Sequence, residues 1–167
     1  KFLNPIIERN IDFHCIVGNH DIPYRNTNDI NALRELFEGM NVSNINCYWE
    51  PKELTFDGCD ILMMPWINRQ NYDDSLQAMV DTKAQICFGH FEINGYEVLR
   101  GIKFDHGMEA ELFNKFEIVC SGHFHHRHTK GNIHYLGTPY EIFWSDYNAS
   151  RGFHIFDTET RELEFIQ

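Results

Sequence analysis

The chain has 167 residues, enough to bury a real core and a fit for one domain. Its 43% hydrophobic and 23% charged residues are ordinary for a globular protein, no apolar run is long enough to span a bilayer, and no signal peptide is read, so a cytoplasmic protein without a membrane is expected. A formal net charge of −11 argues against a passive nucleic-acid coat, which would be basic, but leaves room for a nuclease, because bound divalent cations supply positive charge where a phosphate must lie.

The sequence opens on Lys1, which reads as a piece of something longer, and its first ten residues read as the tail of a helix. Ile11 to Val17 reads as a strand stopped by Gly18, and Gly18-Asn19-His20-Asp21 as a turn. A helix is expected from a cap at Asn28 or Asp29, with Ile30, Leu33 and Phe37 on one face and Gly39 ending it. Ile45–Trp49 and Leu54–Phe56 read as strands, Asp57-Gly58-Cys59-Asp60 as a hairpin turn, and Ile61–Met64 as a buried strand ended by Pro65. A second helix starts near Asp73 or Asp74 with Leu76, Met79 and Val80 inward. Ala84–Phe88 is a strand ended by Gly89-His90, residues 92–103 read as irregular, and Met108–Phe116 as helical. Phe116–Cys120 and Ile133–Leu136 read as further strands, and Phe153–Phe156 with Leu163–Ile166 as a closing hairpin. Apolar strands alternating with helices predict an α/β layered fold over 1–167, with ligands gathering at the carboxyl ends of the strands.

Five cysteines, at positions 15, 47, 59, 87 and 120, form no C-x-x-C pair and read as free thiols in a reducing compartment. The chemistry concentrates in Ser121-Gly122-His123-Phe124-His125-His126-Arg127-His128, which holds four imidazoles within six residues. His123 and His125 are two apart, so in an extended segment both rings point the same way, a good arrangement for a transition metal. Three strands stop alike, each with a glycine followed by a ligand-type side chain: Gly18-Asn19-His20-Asp21, Gly89-His90 and Gly122-His123-Phe124-His125. If those strands are parallel neighbours, Asn19, His90, His123 and His125 converge. The remaining histidines, at 14, 106, 126, 128, 134 and 154, read as structural or solvated. Trp66 and Trp144 read as packing residues, and Arg127 either as a residue able to reach a phosphate or as a member of a surface ion pair.

These three blocks resemble the last three motif blocks of the calcineurin-like metallophosphoesterases. Gly89-His90-Phe91-Glu92-Ile93-Asn94-Gly95 and Leu136-Gly137-Thr138-Pro139 resemble, within that superfamily, the SbcD-type DNA-repair and phage recombination nucleases. The resemblance implies a layered α-β-β-α sandwich and two divalent metals, manganese by preference and magnesium as the alternative. It makes Asn19, His90 and His123 ligands of one metal and His125 a ligand of the other. It makes His20 the catalytic imidazole that supports the leaving oxygen, and Asp21 the residue holding that ring. It implies DNA ends as substrate, a partner ATPase of the SbcC type and a homodimer. The pattern should open with Asp-x-His and Gly-Asp-x-x-Asp, and neither precedes Gly18. Asp12-Phe13-His14 has the spelling but lies in the strand leading into Gly18, and Asp57-Gly58-Cys59-Asp60 has the wrong order. The sequence therefore reads as the later part of a nuclease domain without its first βαβ portion, with an incomplete first metal site and little activity alone. The alternatives are another metallophosphoesterase, such as a cyclic phosphodiesterase or phosphatase, or a non-catalytic assembly module.

Overall fold

The structure, a computed structural model, describes residues 2–40, 42–99 and 101–167. It runs α1 (Leu3–Glu8), β1 (Phe13–Ile16), α2 (Ala32–Phe37), β2 (Ile45–Tyr48), β3 (Lys52–Phe56) and β4 (Cys59–Met64). Then come α3 (Tyr72–Asp81), β5 (Ile86–Gly89), β6 (Glu97–Leu99), β7 (Ile102–Lys103) and β8 (Ile118–Ser121). The last elements are β9 (His128–Lys130), β10 (Ile133–Tyr135), β11 (Phe153–Phe156) and β12 (Leu163–Ile166). Among the described residues no helix is long and apolar enough to cross a membrane.

Six strands form the main sheet in the order β3-β4-β5-β8-β10-β9. The inner four run parallel, and β3 and β9 close the edges antiparallel. β4, β5 and β8 carry apolar residues on both faces with no alternation, as strands buried on two sides must. On one face Leu62, Met64, Cys87, Val119, Ile133 and Tyr135 pack with Met79 of α3 and with Phe91, Phe113, Phe116 and Phe124. On the other, Ile61, Met63 and Ile86 meet Ile16 of β1, Tyr48 of β2 and Phe156 of β11. β1 and β2 form a separate parallel pair, and β11–β12 an antiparallel one. The result is the expected α/β layering, a mixed sheet with α3 and loops on one face and the smaller sheets on the other, where α2 packs against β2.

Local chemistry explains both the agreements and the departures. Asp57 and Gly58 both adopt positive φ, 48° and 82°, between register-matched Phe56 and Cys59. That is the two-residue turn whose twist matches the flanking strands. Asn31 caps α2, its side chain accepting from Arg34 N at 2.8 Å. The expected caps are engaged elsewhere: Asn28 Oδ1 accepts from Asn68 Nδ2 while its amide donates to the carbonyls of Trp49 and Trp66, and Asp29 Oδ2 accepts from Gln70 Nε2. Ile30 then falls outside the helix, half exposed. Val80 faces water, since α3 buries Ser75 and Met79, and the next residue round the helix is about 100° off that stripe. Residues 108–116 hold one short 3₁₀ turn, Ala110–Phe113, in place of an α-helix. Asn132 donates to the carbonyls of Phe113 and Phe116, and Lys115 to those of Met79, Val80 and Thr82, which anchors this segment against its neighbours. The 92–103 stretch contains the small hairpin β6–β7, and β9, absent from the sequence reading, forms only because β10 offers it a pairing edge.

All five cysteines are free thiols; Cys59, Cys87 and Cys120 are buried, while Cys15 and Cys47 touch across β1 and β2 with sulfurs 2.9 Å apart. Burial pushes the Cys120 thiol up to about 12 and drives that of Cys87 upward as well. In the native protein Cys87 and Cys120 should therefore resist an aqueous disulfide reagent and react only on unfolding, which a thiol titration with and without denaturant checks. The Tyr135 hydroxyl donates to the Phe91 carbonyl at 3.0 Å inside the core. Tyr135→Phe orphans that carbonyl and should cost about 1–3 kcal/mol in a denaturant melt.

Candidate metal centre

The parallel register of β5 on β8 sets the site. Gly89 pairs with Ser121, so the residues that follow, His90 and Gly122-His123, leave the sheet side by side. Gly122 N donates to the Gly89 carbonyl at 2.9 Å, carrying the pairing one step past the strands. The buried Ser121 hydroxyl accepts from Phe91 N at 3.0 Å, pinning the chain on the far side of His90. His123 has φ 77°, a left-handed conformation that costs a non-glycine residue about 1–3 kcal/mol and is held here by its surroundings.

The third contributor arrives from another sheet. β1 is not a neighbour of β5 or β8, because it pairs with β2 instead. Its end is nonetheless tied to the end of β4, since Trp66 N donates to the Val17 carbonyl at 2.7 Å. From there Gly18-Asn19-His20-Asp21 closes as a tight turn: Asp21 N donates to the Gly18 carbonyl at 3.1 Å and Gly18 N to Asp21 Oδ2 at 2.7 Å. Ala32 N reaches the Asp21 carbonyl at 2.8 Å, fastening the turn to the start of α2.

These supports bring three of the sequence-selected side chains together. Asn19 Oδ1 is 2.8 Å from His90 Nε2 and 3.3 Å from His123 Nδ1. The two rings are 5.2 Å apart at 73°. His90 is wedged between backbones: a Cβ on Gly18 would lie 3.0 Å from His90 Cε1, and one on Gly122 would lie 2.9 Å from its Nδ1. At both positions glycine is needed for close approach, not for positive φ. His20 is exposed and lines an open cavity of about 600 Å³ with Asn19, Pro23, Arg25, Trp66 and Glu92. His125 makes its closest contacts elsewhere, its ring stacked 5.1 Å from Phe143 and its Nδ1 3.7 Å from Asp146 Oδ2.

Burial pushes the His90 imidazole down to about 3, helped by the neighbouring rings of His123, His20 and His125. Burial also lowers His123, against the opposing pull of Glu92, whose Oε1 is 3.2 Å from His123 Nε2. His90 is therefore neutral at any ordinary pH, the form in which imidazole ligates metals. One amide oxygen with two imidazole nitrogens within 3.3 Å of it suits a borderline divalent cation. Among the described residues no three His, Cys, Asp or Glu side chains form a closed cage, so the convergent set depends on the amide.

Several participants carried no role in the sequence reading. Glu92 was visible only as part of the Gly89–Gly95 run. Trp66 lies edge-on to His90 at 6.0 Å and tilted over His123 at 5.3 Å, walling the centre from one side. Asp146 and Phe143, which border His125, come from a distant loop and have no motif to betray them. Other residues are engaged in packing: His14 bonds the Tyr48 hydroxyl, His128 accepts from Glu97 N and stacks on Tyr135, and Arg127 lies 4.0 Å over the Phe165 ring. Trp144 departs from expectation, being 95% exposed and not packed at all among the described residues.

Residues 1–127 match the family model described as calcineurin-like phosphoesterase. The chain is 39% identical over 166 residues to exonuclease subunit 1 of Enterobacteria phage T4, an alignment covering 99% of this chain and 48% of that protein. The chain thus spans about half the length of the curated relative that it matches.

The geometry yields two expectations. Gly122→Ala drives a methyl into His90 Nδ1 and should weaken divalent-cation binding measured by calorimetry, while leaving the far-ultraviolet circular dichroism intact. Secondly, His90 titrates near 6.5 when unfolded and near 3 when folded, so between those values the unfolded chain binds more protons. Stability should therefore fall as pH drops below about 6.5, by about 2 kcal/mol at pH 5 from His90 alone, in thermal melts of metal-free protein.

Proposed function

Because this chain belongs to the calcineurin-like phosphoesterase family, we propose that it forms the later part of a single metal-dependent nuclease domain, hydrolysing phosphodiester bonds in DNA recombination and repair. The observation that carries this reading is the meeting of Asn19 Oδ1, His90 Nε2 and His123 Nδ1 at the strand ends. In it, Asn19, His90 and His123 hold one divalent cation and His125 belongs to a second, manganese by preference and magnesium as the alternative. Bound cations of this kind polarise a phosphoryl group, lower the pKa of a water and steady the attacking and departing oxygens.

The chain's own residues do the rest. Burial keeps His90 unprotonated, so no proton has to be expelled before it binds. His20 stands at the cavity wall, where an exposed imidazole can donate a proton to the leaving oxygen. Asp21 orients it indirectly: its carboxylate locks the four-residue turn through Gly18 N, and His20 rides on that turn. Glu92 restrains the outer edge of His123, fixing which nitrogen faces Asn19. Arg25 borders the same cavity and offers a cation to a phosphate despite the chain's net charge of −11.

DNA ends are the proposed substrate in the cytoplasm of the host cell, with an SbcC-type ATPase as partner subunit and a homodimeric assembly. The relative's name as an exonuclease subunit supports both a nucleic-acid substrate and a companion chain. Residues 1–167 alone are proposed to bind metal weakly and turn over little, because among the described residues no three His, Cys, Asp or Glu side chains are grouped to hold a cation.

In the full-length protein, His20→Gln should reduce Mn²⁺-dependent cleavage of linear duplex DNA about 10²–10⁴-fold with cation affinity unchanged. His90→Gln should lose both. Cleavage of a small cyclic phosphodiester but not of DNA would move the assignment to another branch of the family, and a robust Mn²⁺-dependent nuclease rate from residues 1–167 alone would refute the proposed incompleteness.

A further inference from the structure

Asp146 has no exposed side-chain surface, yet it belongs to a loop that is otherwise open to water. Tyr140, Phe143, Trp144 and Tyr147 around it are all more than half exposed. Burying a carboxylate costs several kcal/mol unless its surroundings compensate, so the contacts that hold it matter. Its Oδ2 accepts from Ile142 N at 2.9 Å and Phe143 N at 3.0 Å, and its Oδ1 is 2.9 Å from Arg151 Nη2. Two imidazoles face it as well: His125 Nδ1 at 3.7 Å from Oδ2 and His126 Nε2 at 3.8 Å from Oδ1.

The same loop grips His125 in two further ways. The Phe143 ring lies 5.1 Å from the His125 ring and within 5° of parallel. Arg151 Nη1 donates to the His125 carbonyl and to Thr138 Oγ1. Ring face, ring nitrogen and backbone are thus each held by residues 143–151, which lie beyond the stretch that matches the family model.

We propose that Asp146 is a positioning residue for His125, selecting the tautomer with the proton on Nδ1 and leaving the Nε2 lone pair for a divalent cation. This rests on the assignment of His125 as a ligand under the proposed function. At 3.7 Å the contact is longer than an ordinary hydrogen bond and acts through the field of the carboxylate. A proton on Nδ1 faces negative charge favourably, and a lone pair there would be repelled. Phe143 and Arg151 keep the ring in the plane where that selection operates.

The test uses the intact metal-free protein with ¹⁵N-labelled histidine, at a pH where imidazoles are neutral. His125 should show the Nδ1–H tautomer, and Asp146→Asn should convert it to a mixture. Calorimetric titration with Mn²⁺ alone should then show one site weakened about 10–100-fold in that variant. An unchanged tautomer in Asp146→Asn overturns the proposal. A changed tautomer with unchanged Mn²⁺ affinity upholds the hold of Asp146 on the ring and overturns the reading of His125 as a ligand. If Asp146→Asn does not fold, Phe143→Leu alters a position that is 59% exposed. It should leave the melting curve in place while broadening the His125 ring signals and weakening Mn²⁺ several-fold, and unchanged signals and affinity overturn the proposal.

Discussion

The wedging of the His90 ring between the backbones of Gly18 and Gly122 is the constraint on which the candidate site depends. The two glycines come from turns that follow strands of different sheets, so the imidazole joins β1, β5 and β8 at their carboxyl ends. A side chain at either glycine would hold those turns apart, and Asn19 would no longer reach His90 and His123. Lodging the ring there also removes it from water, which is why it stays neutral.

The core enforces that arrangement from below. Phe91 follows His90 directly and is anchored at both ends, its N–H on Ser121 and its carbonyl on the Tyr135 hydroxyl. Its ring meets Phe113 edge-on at 4.8 Å. His90 is therefore held by the hydrophobic core on one side and by two glycines on the other, with little freedom to swing. Interiors packed to crystal-like density transmit such placement, so precision at the rim follows from packing beneath it. Asn28 extends the same control to the opposite wall, where it donates to the Trp66 carbonyl at 2.7 Å and so fixes the segment that carries the indole over His123.

Charge is distributed differently from what the total suggests. The chain is acidic overall, but the centre is built from neutral groups, an amide and desolvated imidazoles, with Glu92 37% exposed at its margin. On an acidic surface with a neutral centre, positive charge for a phosphate would have to come from a bound cation, in contrast to a basic surface that would hold nucleic acid anywhere along its length. The loop carrying Asp146 adds a buried negative charge behind His125, balanced by Arg151 and two backbone N–H groups, which together with His125 keep that carboxylate below its usual range against the effect of burial.

The sequence by itself determined the strands that end in glycine, the Asp57-Gly58 hairpin, the apolar runs of β4, β5 and β8, and the identities of Asn19, His90 and His123. Those features are written in periodicity and in local turn chemistry, which neighbouring residues decide. Only the tertiary structure decided that β1 joins the site from a separate sheet, that Gly18 and Gly122 are small because a ring lies against them, and that Glu92, Trp66 and Asp146 border the imidazoles. Helix ends also belonged to it: Asn31 displaced Asn28 as a cap because the Asn28 oxygen already accepts from distant Asn68, and the 108–116 segment settled into one 3₁₀ turn beside Asn132, which bonds two of its carbonyls. Each of these outcomes turns on a contact between residues far apart along the chain, and a contact of that kind leaves no periodic trace for a linear reading to find.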